Sequence, residues 1–151
     1  LSVAGPPQDA KGAKNLVLDT NIVLDLFVFD DRNTRVLKDE LAQRAWRWIA
    51  TMPMRAELEH VLDYSHLAER LTFYGLRASE VLERFDSSAE MVDVAATAPA
   101  ACRDPDDQKF IDLAVAHGAV LLSKDAAVLA MRNKLAALGV EASAMRRTGE
   151  G

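Results

Sequence analysis

The apolar positions of the chain fall into two alternating periods. Leu16, Val17 and Leu18 form an unbroken run that stops on Asp19, the pattern of a short strand buried on both faces. "AVLLS" repeats the design, and Lys124 and Asp125 follow it. Elsewhere the spacing is helical. Residues 21–28 predict the start of a helix. Leu37, Leu41, Ala45 and Trp48 predict a long one over "NTRVLKDELAQRAWRWIA", capped at Asn33 or Thr34. "MRAELEHVLDYSHLAERL" reads as one helix, or as two with a break near Ser65, and "SEVLERFDS" as another. Residues 106–117 predict a further helix. "AAVLAMRNKLAAL" predicts one with Val128, Met131, Leu135 and Leu138 on a single face, with Gly139 as its C-terminal cap residue. "AEMVDVA" and "VEASAM" are weaker strand candidates. On the helical reading of residues 33–50, Trp46 points away from the stripe that holds Trp48. It would then offer an outward edge for self-association.

Strands that alternate with helices predict a mostly parallel sheet covered on both faces, an α/β fold. Such sheets bind ligands at the carboxyl ends of their strands. Asp19 and Asp125 follow two separate strands, so both are delivered to the same rim. The chain has 151 residues, half of them hydrophobic, which suits one core. Residues 15–145 are read as a single domain between tails at 1–14 and 146–151. No apolar stretch approaches the ~18–20 residues that span a bilayer. The N-terminus lacks an apolar signal core, so secretion is not expected. Cys102 is the single cysteine, which excludes an internal disulfide and a cysteine metal cluster and fits a reducing cytoplasm.

Acids define the candidate chemistry. In "RDPDDQKFIDLAVAHG", Asp104 is a natural N-cap, Pro105 suits the first helical position, and Asp106 and Asp107 complement the helix dipole. That alone would only start a helix. Asp107 is different, because it precedes Phe110 and Ile111 by three and four residues and shares their inward face. An acid on a buried face needs a partner, a proton or a metal. Glu57 sits at the inner margin of the "RAELEHVL" helix, beside Leu58 and four residues before Val61. Alone it would be an ordinary surface acid. Converging carboxylates repel one another or take up protons unless a cation joins them. All-oxygen ligands suit Mg²⁺ or Mn²⁺ rather than zinc, and His60, His66 and His117 are scattered away from any ligand spacing. The formal net charge of −5 equals the charge of Asp19, Glu57, Asp104, Asp107 and Asp125 together, so the rest of the chain is neutral. A phosphotransfer or phosphatase fold of related shape would need a second acid just after the first strand, where Asn21 stands.

The segments "LVLDTNIVL", "AELEHVL", "DPDDQKFIDLAVAHGA" and "LLSKD", in that order, resemble the PIN-domain family of metal-dependent nucleases. The nearest likeness is to its small prokaryotic toxin-type members. The resemblance implies a three-layer α/β/α sandwich with a mostly parallel sheet of about five strands. It implies catalytic, metal-binding roles for Asp19, Glu57, Asp107 and Asp125, supported by Asn21, Ser123 and Asp104. One or two Mg²⁺ or Mn²⁺ ions would assist hydrolysis of RNA phosphodiester bonds, leaving a 5′-phosphate and a 3′-hydroxyl. Lys124 and Arg55 are weaker candidates for RNA contact. The same resemblance implies a cytoplasmic toxin, a partner antitoxin and a homodimer, with no membrane involvement. "VEASAM" departs from the Pro-x-Glu-Phe-like ending common in this branch. The alternative is a non-catalytic PIN-like module that binds RNA or protein.

Overall fold

The run Leu16–Leu18 lies in the central strand of a five-stranded, all-parallel sheet in the computed structural model, which describes residues 13–144. In chain order the elements are β1 (Lys14–Leu18), α1 (Thr20–Phe27), α2 (Arg35–Ala42), β2 (Trp46–Ala50), α3 (Met52–Leu62), α4 (Ser65–Phe73) and α5 (Ala78–Ser88). They continue with β3 (Glu90–Met91), α6 (Gln108–His117), β4 (Val120–Leu122), α7 (Ala126–Leu129), α8 (Arg132–Ala137) and β5 (Glu141–Ser143). Single 3₁₀ turns at Arg32–Thr34 and Pro105–Asp107 precede α2 and α6. The expected tails lie almost wholly outside the described residues, although Lys14 already belongs to β1. Among the described residues no helix is long and apolar enough to cross a membrane.

The strand order is β3-β2-β1-β4-β5. It reverses direction between β1 and β4, which pair through Leu16–Val120, Val17–Leu121 and Leu18–Leu122. Successive strand residues face opposite sides of a sheet. Leu16, Val17 and Leu18 are all buried, as are Leu121 and Leu122, so both faces at the centre are covered. On one side Trp48 packs against Phe27, with ring centroids 6.0 Å apart, and edge-on against Phe85 at 5.3 Å. The reversal opens a crevice at the carboxyl ends of β1 and β4.

Two stretches depart from the sequence reading. The long helix expected over residues 33–50 ends at Ala42, and residues 46–50 form β2. Arg44 turns the chain with a φ of 60°. Trp46 and Trp48 then follow the two-residue period of a strand, and their aromatic character suits it. Four-residue spacing had mimicked a helix across the turn. Trp46 is therefore not an outward helical residue. It is half-buried and donates its indole N–H to Glu40 Oε1 at 2.9 Å, so the association edge drawn from it disappears. The second departure is the helix expected over residues 126–138, which is divided into α7 and α8. Between them the backbone bonding shortens, with Met131 N–H donating to the Val128 carbonyl. The break near Ser65, the strand character of residues 90–91 and 141–143, and the Gly139 turn at φ 87° agree with expectation.

Candidate metal centre

Asp19 is the residue at which β1 becomes α1. Its backbone N–H donates to the Leu122 carbonyl at 3.0 Å, which ties it to the end of β4. Its side chain caps α1 by accepting the Asn21 N–H at 3.3 Å. The other carboxylate oxygen accepts the Ser123 hydroxyl at 2.5 Å, and the whole residue is only 4% exposed. Burial raises its pKa above the ordinary aspartate value. The Ser123 and Asn21 hydrogen bonds oppose that rise, while the charges of Glu57 and Asp125 add to it.

The second contribution comes from the mouth of α6. A helix that leads into a parallel strand runs back across the sheet, so its N-terminus arrives at the carboxyl rim. Asp104 caps the 3₁₀ turn there, accepting the Asp106 N–H at 3.0 Å. Asp107 ends that turn and points inward; it is 6% exposed. Asp125 caps α7 through the Ala127 N–H at 2.8 Å, and its own N–H donates to Ser123 Oγ at 3.0 Å. Carboxylate oxygens of Asp104, Asp107 and Asp125 all lie within 4.8 Å of one another. Asp107 Oδ2 is buried without a hydrogen-bond partner. Burial first, then the chance to share a proton with Asp125 and the charges of Asp19, Asp125 and Asp104, push the Asp107 pKa up to about 8.

Glu57 stands apart from this trio. Its Oε2 accepts the Thr20 hydroxyl at 2.8 Å, and its Oε1 is ion-paired with Lys109. It reaches the centre through its charge on Asp19. Asp104, expected in a supporting place, lies together with Asp107 and Asp125 in the convergent set. Asn21 meets Asp19 through its backbone N–H, while its side chain is exposed. Arg55 is engaged by Asp86 through two bonds of 2.8 and 2.9 Å, and Lys124 pairs with buried Asp25 at 2.6 Å. Both weaker RNA-contact candidates are thus occupied within the fold.

Three participants escaped the sequence reading. Thr20 lies inside the quoted "DTN" and Lys109 inside "DQKF", but nothing in the local pattern shows that they meet Glu57. Gln108 is the third. It accepts the Cys102 N–H at 2.7 Å and donates to the Ala100 carbonyl and to Asp112, fixing the loop that presents Asp104. Cys102 donates weakly to the Ala127 carbonyl at 3.8 Å, and burial pushes its thiol pKa up, so it acts in packing rather than as a nucleophile.

The residues fit a hard divalent cation. The convergent donors are all oxygens, one buried oxygen lacks any partner, and the mutual repulsion is what a cation would relieve. The PIN domain family matches residues 15–127 of the chain. Among solved structures, one of VapBC2 from Rickettsia felis bound to a DNA fragment from their promoter contains a similar chain. The TM-score is 0.60 at 17% identity, covering 85% of this chain and 98% of that one. A likeness at that identity concerns the fold. Among curated proteins none matches. The family match spans most of the chain and all of the converging acids, and on it the chain belongs to the PIN-domain family.

Proposed function

We propose that this protein is a Mg²⁺- or Mn²⁺-dependent endoribonuclease, the toxin of a toxin–antitoxin pair. The observation that carries the reading is buried Asp107, with an unpartnered oxygen, among the carboxylates of Asp104 and Asp125. Asp107, Asp125, Asp104 and Asp19 would hold the cation, with Glu57 at the margin. When bound, it supplies Lewis acidity toward a phosphodiester and makes an attacking water more acidic. Ser123 keeps Asp19 oriented and favours its ionised form. Asp107 holds a proton at neutral pH in the absence of a cation, so binding must displace that proton. Lys109 places a positive charge on the Glu57 side of the rim.

RNA is favoured as substrate by family membership, and the likeness to VapBC2 supports an antitoxin partner. A homodimer and a cytoplasmic location belong to the same reading. The test is cleavage of a mixed RNA panel with Mn²⁺, Mg²⁺ or a chelator, beside Asp19→Asn. Metal-dependent cleavage that Asp19→Asn abolishes, with its fold intact by circular dichroism, supports the assignment. Cleavage that persists equally in that variant would sink it.

A further inference from the structure

Lys109 follows Asp107 by two residues, and its ammonium is ion-paired with Glu57 Oε1. It also donates to the Asp106 carbonyl at 2.6 Å and lies 5.0 Å from the centre of the Phe110 ring. The two side chains are 25% and 29% exposed, against 44% and 68% for the surface pair Lys38–Asp30. Lys109 is therefore held in a partly dehydrated position, where its charge acts more strongly than on an open helix face. The second oxygen of Glu57 is engaged by Thr20. Both oxygens are thus claimed by groups neighbouring Asp19 and Asp107 in the sequence. The convergent set of Asp104, Asp107 and Asp125 forms without Glu57.

We propose that Lys109 is a resident counter-cation of this centre, a positioning residue that holds Glu57 in an ion pair and competes with a divalent cation for it. The inference rests on the metal-centre reading above. It accounts for a glutamate that faces the acid rim yet stays outside the trio. It also accounts for a lysine whose fixed neighbours are a carboxylate, a carbonyl and an aromatic ring. A fixed positive charge beside the rim offsets part of the carboxylate repulsion before any ion arrives, and it opposes the arrival of the ion.

The test is calorimetric titration of Mn²⁺ into the full chain and its Lys109→Met, Lys109→Arg, Glu57→Gln and double Glu57→Gln/Lys109→Met variants. Lys109→Met is expected to bind Mn²⁺ about 3- to 10-fold more tightly, because it leaves Glu57 free and removes an opposing charge. Lys109→Arg keeps the charge and should stay near wild type. Glu57→Gln strands the lysine charge and should bind more weakly, and the double variant should return toward wild type. Melting gives a second readout. Lys109→Met should melt lower than wild type without Mn²⁺ and recover with saturating Mn²⁺, whereas a lysine with a merely structural role would lower both alike. Lys109→Gln replaces the methionine if that variant folds poorly. Affinity in the neutral variants equal to or weaker than wild type overturns the inference and leaves the metal centre standing. Wild-type protein that takes up no Mn²⁺ overturns both.

Discussion

Ser123 Oγ donates to Asp19 Oδ2 at 2.5 Å and accepts the Asp125 N–H at 3.0 Å, so one fully buried hydroxyl joins the acids that follow β1 and β4. Ser123→Ala removes both bonds. Asp19 then loses the side-chain bond that favours its ionised form. Loss of such an orienting partner typically weakens metal affinity or activity by about 10- to 100-fold. We expect that decrease in Mn²⁺ affinity by calorimetry, with a stability loss of about 1–3 kcal/mol from the unsatisfied buried groups. Ser123→Thr keeps the hydroxyl and should lose far less affinity. Equal losses in the two variants would remove the hydroxyl from the explanation.

The three acids near α6 should separate by role. Asp107 is buried in the convergent set, Asp106 is exposed, and Asp112 accepts the Ala98 N–H at 2.9 Å and a Gln108 amide proton at 2.8 Å. Asp107→Ala should reduce cleavage to background. Asp106→Ala should leave both cleavage and melting near wild type. Asp112→Ala should lower stability by about 1–3 kcal/mol through the lost acceptors, with a smaller effect on cleavage. Cleavage lost equally in all three variants would contradict this facing of the helix.

Where the sequence reading succeeded, the signal was local. Leu16–Leu18 ending on Asp19, and Asp107 placed against Phe110 and Ile111, are short-range patterns that burial alone enforces. The strand at residues 46–50 was missed because its neighbour β1 lies about 30 residues away in sequence, pairing Trp48 with Leu16, and no window contains both. The Glu57–Lys109 and Lys124–Asp25 pairs were missed for the same reason: each partner alone reads as an ordinary helix or loop charge. Asp104 was legible from its local pattern as a helix cap, and as a supporting acid only through the family resemblance. Its second role depends on Asp125 reaching the same rim, which the sheet order decides.

Lys124 and Arg55 provide a contrast between two ion pairs. Asp25 is nearly buried, with its side chain 8% exposed, and Lys124 is its ion-pair partner at 2.6 Å. Lys124→Ala leaves that carboxylate poorly compensated and should destabilise the protein by about 1–2 kcal/mol, allowing for the half-exposed lysine. Asp86 is open to solvent, so Arg55→Ala should cost under about 1 kcal/mol. Denaturant melts measure both. If either residue served mainly to bind RNA, its variant would raise KM while leaving the melt unchanged.

The raised pKa of Asp107 makes stability depend on pH and metal together. In the folded protein its carboxyl pKa is pushed up to about 8, against an ordinary aspartate value of 3.8. The folded state therefore holds a proton that the unfolded chain has already released over most of that interval. Its contribution to stability is full below about pH 4 and is lost progressively as the pH rises through about 8. The raised pKa of Asp19 acts in the same direction. Mn²⁺ binds the deprotonated, folded centre, so it should restore stability at pH 8.5 and do little at pH 5, where it must displace protons. At 100 times its Kd a ligand adds about 2.7 kcal/mol, which for a domain of this size raises Tm by roughly 5–10 °C. Asp107→Asn keeps the shape without the charge. Without metal it should melt above wild type at pH 8.5, match it near pH 4, and respond little to Mn²⁺ at either. A wild-type Tm indifferent to Mn²⁺ at both pH values would show that these carboxylates do not form a cation site.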